Sequence, residues 1–257
     1  MANLYDIISW CDQQLLSHEF KDYAPNGLQV EGKSEVKKIV TAVTASLDAI
    51  QQAIDVNADV LLVHHGYFWK GEEPTLTGMK GKRIKQLLQH DISLLAYHLP
   101  LDAHPIYGNN QAIADLLGLS NIRHLDEHDR HPIGQIGELA NPLTPHEFQE
   151  LLRKKIQVEN TDTPILHLPA QKKHIKTVAY CTGAAQDYIH KASRMNCDAF
   201  ISGEVSERTF YEAKELNVHY YACGHHATER YGVQRLGQAI AQQFNLDYDY
   251  IELHNPI

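Results

Sequence analysis

The sequence predicts an α/β fold of two similar halves, and three observations carry that expectation. Apolar runs of strand length alternate with amphipathic stretches of helix length. The alternation recurs along the chain at one offset. Several of the runs end in histidine, glycine or carboxylate rather than in ordinary turn residues. The runs are Lys38–Thr44, Ala58–Val63, Ile92–Tyr97, Thr177–Cys181, Asp198–Ser202 and Val218–Ala222. Helix-like stretches lie between them, over Leu47–Val56, Lys80–His90, Gln186–Met195 and Glu207–Leu216. Strands followed by helices of this length make βαβ units and a mainly parallel sheet. A later run, Asp247–Glu252, alternates polar and apolar residues and reads as an edge strand.

The polar stretch Asp126–Gly137, with Pro132 and Gly134, reads as the connection between halves, giving domains at 1–125 and 126–257. Thr144, Pro145 and Glu147 then form the start signature of a helix: N-cap, first-turn proline and capping box. The halves align without gaps. Val178 lies 139 residues after Ile39, and Asp198 lies 139 residues after Asp59 (178 − 39 = 198 − 59 = 139). An ordered pairing of strand, helix and strand implies an internal duplication.

Composition narrows the function. With 257 residues, 43% of them hydrophobic, the chain can bury a substantial core. A net charge of −9 argues against duplex DNA as partner, because such binding depends on cations neutralising phosphates. No apolar run is long enough to span a bilayer, so no membrane partner is expected. The N-terminus lacks the basic start of a signal peptide. Cys11, Cys181, Cys197 and Cys223 are scattered with no CxxC pair, which reads as reduced thiols in a cytoplasmic protein.

Three motifs follow strand-like runs. Val63-His64-His65-Gly66 puts two histidines at a strand end, where Gly66 allows the chain to break so that both reach one place. His98-Leu-Pro-Leu-Asp102 and His225-His-Ala-Thr-Glu229 each place a carboxylate four residues after a histidine. Pro100 argues against a regular helix in the first of these, which is expected as a loop. In the second, helical spacing projects His225 and Glu229 together. Imidazole and carboxylate together are the ligand set of borderline divalent ions such as zinc, iron or manganese. More ligands are present than one tetrahedral ion needs, which points to a two-metal hydrolytic site using metal-activated water. His98 reads as a ligand, as a group orienting Asp102, or as a proton carrier with Glu204 behind it. The bland readings are a surface histidine pair and an exposed His225–Glu229 helical pair. The glycine turns at Gly183 and Gly203 read as ordinary loops, and the run Lys80–Lys85 as a solvated helix face. His124, His128 and His131 read as loop residues.

The segments Asp22–Val30, Val63–Trp69, His98–Asp102, Ile201–Glu204 and Gly224–Glu229 resemble those of the Nif-three-like proteins, also called GTP cyclohydrolase I type 2 homologues, in their short bacterial form. The resemblance implies two similar, interlocked α/β domains with two divalent metal ions between them. It implies His64, His65, Asp102, His225 and Glu229 as the ligands. It further implies a toroidal homohexamer and a nucleotide-like small-molecule substrate. A non-catalytic metal-binding scaffold or protein-interaction module is the alternative.

Overall fold

The computed structural model describes residues 1–156 and 165–257. The chain divides into two compact units, Met1–Leu101 with Arg230–Leu253, and Asp102–Glu229 with His254–Ile257. The sequence suggested consecutive segments, 1–125 and 126–257; these units are interleaved. The chain passes from one to the other inside the helices Leu99–Ala103 and His225–Phe244, and again between Leu253 and His254. Among the described residues no helix is long and apolar enough to cross a membrane.

The first unit carries a five-stranded sheet in the order Asp247–Tyr250, Lys38–Thr44, Val60–His65, Ser93–Ala96, Gly27–Val30. The first four strands are parallel and the last is antiparallel. Lys38–Thr44 and Val60–His65 are buried along nearly their whole length. Strands covered on both faces need continuous apolar runs, and this is why they were legible in the sequence. Helix Leu47–Asp55 starts where the Ser46 hydroxyl accepts the Ala49 N–H at 3.1 Å. Its buried face, Ala49, Ile50 and Ala53, packs with Val40, Leu61, Val63 and Leu94 in one apolar cluster. The late alternating run does form an edge strand, Asp247–Tyr250, and the Tyr248 hydroxyl lies 3.0 Å from Thr41 Oγ1.

The second unit carries a six-stranded sheet in the order Ser120–His124, Gln135–Leu143, Ile175–Tyr180, Ala199–Ser202, His219–Ala222, Leu166–Leu168. Its three central strands are parallel, and the flanking pairings are antiparallel. Both sheets are therefore mixed around a parallel centre. The expected capping box is present on helix Pro145–Lys155: Thr144 Oγ1 accepts the Glu147 N–H, and Glu147 accepts the Thr144 N–H.

The 139-residue offset reappears in the hydrogen bonds. Asp59 Oδ2 accepts the N–H groups of Lys37 and Lys38 at 2.6 and 2.9 Å, and its other oxygen pairs with Lys33. Asp198 Oδ2 accepts the N–H groups of Lys176 and Thr177 at 3.0 and 2.9 Å, and its other oxygen pairs with Lys172 at 3.0 Å. Each of these positions is displaced by the same interval (172 − 33 = 176 − 37 = 177 − 38 = 198 − 59 = 139). The antiparallel edge strands also agree, since Gly27 and Leu166 begin them (166 − 27 = 139). Each unit thus uses one aspartate at the head of its second parallel strand to fix the chain entering its first.

One expectation is corrected here. Leu99–Ala103 is a short helix that includes Pro100. A proline in the first turn loses no hydrogen bond, because the N–H groups of that turn have no intrahelical partner anyway.

Candidate metal centre

The first unit contributes three histidines. His64 and His65 are the last two residues of strand Val60–His65, and His98 follows strand Ser93–Ala96 after one residue. His64 is fully buried, and its Nδ1 lies 2.9 Å from the Tyr97 carbonyl oxygen. A carbonyl only accepts, so neutral His64 carries its proton on Nδ1 and its lone pair on Nε2. His65 Nδ1 is 3.2 Å from Thr44 Oγ1, on the adjacent strand. His98 Nδ1 is 2.7 Å from Asp22 Oδ1. The rings gather, with centroids 4.7 Å apart for His64 and His65 and 5.0 Å apart for His64 and His98. The three offer ring nitrogens within 4.8 Å of one another, a group that could hold a metal ion.

Asp22 is the residue that sequence reasoning left without a role. Besides the His98 ring it accepts the Leu99 N–H at 2.9 Å, the Tyr23 N–H at 2.6 Å and the Asn26 amide at 2.9 Å. Asn26 in turn accepts the His98 N–H at 2.8 Å. Burial works to raise the Asp22 pKa, but these bonds, led by that of His98, outweigh it and hold the carboxyl below its ordinary value. The signal in the sequence was weak: both residues lie in the segment Asp22–Val30, 72 and 76 residues from the group they hold.

The second unit contributes Asp102, His225 and Glu229. Asp102 Oδ1 accepts from Asn109 Nδ2 at 2.8 Å and from Thr182 Oγ1 at 3.2 Å. Asn110 accepts the Thr182 N–H at 3.1 Å, and both asparagines are fully buried. Two consecutive asparagines opening helix Asn109–Leu117 are a sign of a polar duty that the sequence does carry. His225 begins the long helix His225–Phe244, so Glu229 lies one turn further along. His225 Nε2 and Glu229 Oε2 are 2.9 Å apart, and His225 Nδ1 is 2.7 Å from Glu204 Oε1. Burial opposes charge on His225, yet Glu229 and Glu204 outweigh it and push its pKa up to about 9. Glu204, expected behind His98, is bonded to His225. Asp102 and Glu229 are 4% and 2% exposed and offer carboxylate oxygens within 4.8 Å of each other. Two buried carboxylates so close repel one another, and a cation is the partner that offsets both.

The two glycine turns read as ordinary loops shape this half. Gly183 sits at φ +68°, and a Cβ there would lie 2.1 Å from Glu229 Oε1. The Gly183 carbonyl accepts the Gly203 N–H at 2.9 Å, so the two turns are bonded to each other. His124, His128 and His131 take no part in these donor groups.

The donor types are those that could hold a metal ion. Four imidazoles, those of His64, His65, His98 and His225, are each held through Nδ1, by a carbonyl, a hydroxyl or a carboxylate. A carbonyl or carboxylate on one ring nitrogen fixes the tautomer, and any such partner aims the other nitrogen, which is how metal-binding histidines are oriented.

The family profile Duf34/NIF3 (NGG1p interacting factor 3) matches residues 2–256. A protein of Vibrio cholerae serotype O1 named "GTP cyclohydrolase 1 type 2 homolog" is 51% identical over 92% of each chain. The solved structure described as "Structural genomics, protein ybgI, unknown function" superposes with a TM-score of 0.92 at 42% identity, covering 99% of this chain and 100% of that one. The crystal structure of TTHA1606 from Thermus thermophilus superposes with a TM-score of 0.88 at 28% identity, with the same coverage.

Proposed function

Because the chain belongs to the Duf34/NIF3 family, we propose that it is a hydrolase dependent on two divalent metal ions and acting on a nucleotide or related heterocycle. The observation that carries this reading is the anchoring of His64, His65 and His98 through Nδ1, three rings that offer nitrogens within 4.8 Å of one another. His64, His65, Asp102, His225 and Glu229 are the ligands in this proposal. Iron, zinc or manganese ions held there would supply Lewis acidity and lower the pKa of water at the reaction centre. The relatives' name, GTP cyclohydrolase 1 type 2 homolog, adds a nucleotide as the first substrate to try.

His98 is the proton carrier in this scheme. Its Nδ1 proton is given to Asp22, so Nε2 is the atom that accepts or returns a proton. Asp22 is held below its ordinary pKa first by His98 and then by Asn26 and the Tyr23 N–H, and a carboxylate there stabilises positive charge on the His98 ring. Glu204 orients His225 and does not move a proton. Metal-loaded protein incubated with GTP and a panel of modified nucleotides tests the reading. His64→Ala and Glu229→Ala are expected to lose both bound metal and turnover. His98→Ala should retain metal while kcat falls about 10²–10⁴-fold, the usual worth of a positioned acid–base. Absent turnover in the wild type, or turnover unchanged in His64→Ala, removes the hydrolase reading for those substrates.

Chelation gives an independent check. An ion present at 100 times its Kd stabilises by about 2.7 kcal/mol. For a chain of this size that corresponds to a fall in Tm of roughly 5–10 °C when metal is removed. Calorimetry with and without chelator should show it, and equal melting temperatures would refute ion binding to the folded state.

A further inference from the structure

Beside the histidine cluster of the first unit lies a cavity of about 720 Å³, within the range of small-molecule sites. We propose that this cavity binds a planar heterocycle bearing phosphate, with the ring held between aromatic side chains and the phosphate on Lys21 and Lys70. The proposal deepens the hydrolase reading and rests on it for the fate of the bound molecule.

The aromatic part of the wall consists of Phe20, Tyr23 and Phe68. Tyr23 is 62% exposed and Phe68 37% exposed. Phe68 also has φ +65°, in the left-handed region that an aromatic residue seldom occupies. The turn is braced on both sides of it. The Trp69 indole N–H donates to the Gly66 carbonyl at 3.1 Å, and the Lys70 N–H donates to the Tyr23 carbonyl at 2.6 Å. A bulky ring kept strained and partly in water is the kind of outlier that marks a binding surface. A π-face tolerates any base, so stacking recognises the heterocycle as a class.

The wall sets Asp12 and Asp22 against Lys21 and Lys70, so its formal charge is balanced, and what matters for an anion is which of these groups already have partners. Asp22 lines the cavity, but its side chain is only 2% exposed and is spent on His98 and three other donors. Asp12 likewise receives the Ser17 and Tyr97 hydroxyls, at 2.7 and 3.1 Å. Lys21 and Lys70 are exposed and form no ion pair among the described residues. A phosphate entering here meets two positive charges not already committed to carboxylates. Asp22 also connects recognition to chemistry, because the carboxylate in the cavity wall is the one that holds the His98 ring.

Calorimetric titration of GTP, guanosine and inorganic triphosphate into the chelated full-length protein tests the proposal without any contribution from bound metal. GTP should bind, and guanosine and triphosphate should each bind at least tenfold more weakly. Lys21→Ala/Lys70→Ala should weaken GTP at least tenfold and leave guanosine unchanged. Phe68→Leu should weaken GTP and guanosine alike. The lysines are exposed, and melting curves confirm that the variants fold. No binding of GTP to the metal-free protein at millimolar concentration, or wild-type affinity in the double lysine variant, overturns the cavity assignment. Nucleotide binding without metal-dependent turnover would refute the hydrolase reading and leave the cavity standing. Turnover with a KM unchanged by the lysine and Phe68 substitutions would do the reverse.

Discussion

Gly183→Ala is expected to abolish tight metal binding and to destabilise the protein by roughly 2–4 kcal/mol. Two effects add. The left-handed conformation at φ +68° costs alanine about 1–2 kcal/mol. The new methyl would also lie 2.1 Å from Glu229 Oε1 and 3.2 Å from His225 Nε2, so one or both donors must move. Glu229 has no easy room, since it is 2% exposed and sits one turn inside a helix that continues for fifteen more residues, to Phe244. Gly118→Ala separates the two effects. Gly118 has φ +63°, yet a Cβ there meets nothing within 4 Å. It should therefore lose only about 1–2 kcal/mol and keep its metal. Denaturant unfolding with elemental analysis decides the matter. Full metal content in Gly183→Ala, with a stability loss equal to that of Gly118→Ala, would show that Glu229 is not a ligand.

Asp59→Ala should be among the most destabilising single changes in the first unit, at about 3–5 kcal/mol, because it leaves two backbone N–H groups and a lysine without their acceptor. Asp198→Ala removes the equivalent bonds from the second unit. The Asp198 side chain is 22% exposed against 5% for Asp59, so water compensates part of the loss and about 2–3 kcal/mol is expected. For both carboxyls burial acts to raise the pKa. At Asp59 the Lys33 ammonium and the backbone N–H groups outweigh it; at Asp198 the N–H groups of Thr177 and Lys176 and the Lys172 ammonium do the same. Both therefore titrate below the ordinary carboxylate value in the native state. A native pKa below the unfolded one contributes stability that is complete above the unfolded value, about 3.9, and is lost as pH falls through the native value. The gap in unfolding free energy between wild type and either alanine variant should thus be constant near neutrality and shrink below about pH 4. A gap that widens on acidification would contradict this assignment of charge.

The parts of the fold legible in the sequence are those whose residues answer to one local demand. Lys38–Thr44, Val60–His65 and Ala199–Ser202 are covered on both faces, so each is a continuous apolar run. Thr144 and Glu147 satisfy each other within one turn. The 139-residue offset could be read because duplication preserves spacing. Elements that depend on distant partners were missed. Strand Gly27–Val30 has no alternation, its register against Ser93–Ala96 is shifted, and its burial follows no period. Pro100 was read from its rule for helix interiors, although it stands in a first turn. The donor residues could be found because histidine and carboxylate announce their chemistry by type. Asp22, Asn109, Thr182 and the bond between Glu204 and His225 could not, because a common polar residue gains such a partner only from the side chain it meets after folding.

The strand Asp247–Tyr250 has a consequence for how the protein is made. It completes the first unit's sheet by pairing with Lys38–Thr44, and Thr41 and Tyr248 are separated by 207 residues. At about 5–20 residues per second on the ribosome, the nascent chain waits roughly 10–40 s for that partner. Throughout this interval one edge of Ile39–Val43 presents unpaired N–H and C=O groups beside an apolar surface, the combination that invites pairing between chains. The residues that close the second unit's sheet, Ser120 to Ala222, have all emerged before then. The half synthesised first is thus the last to be sealed, and truncation before residue 247 would leave a sheet with an open edge rather than a protein missing only its tail.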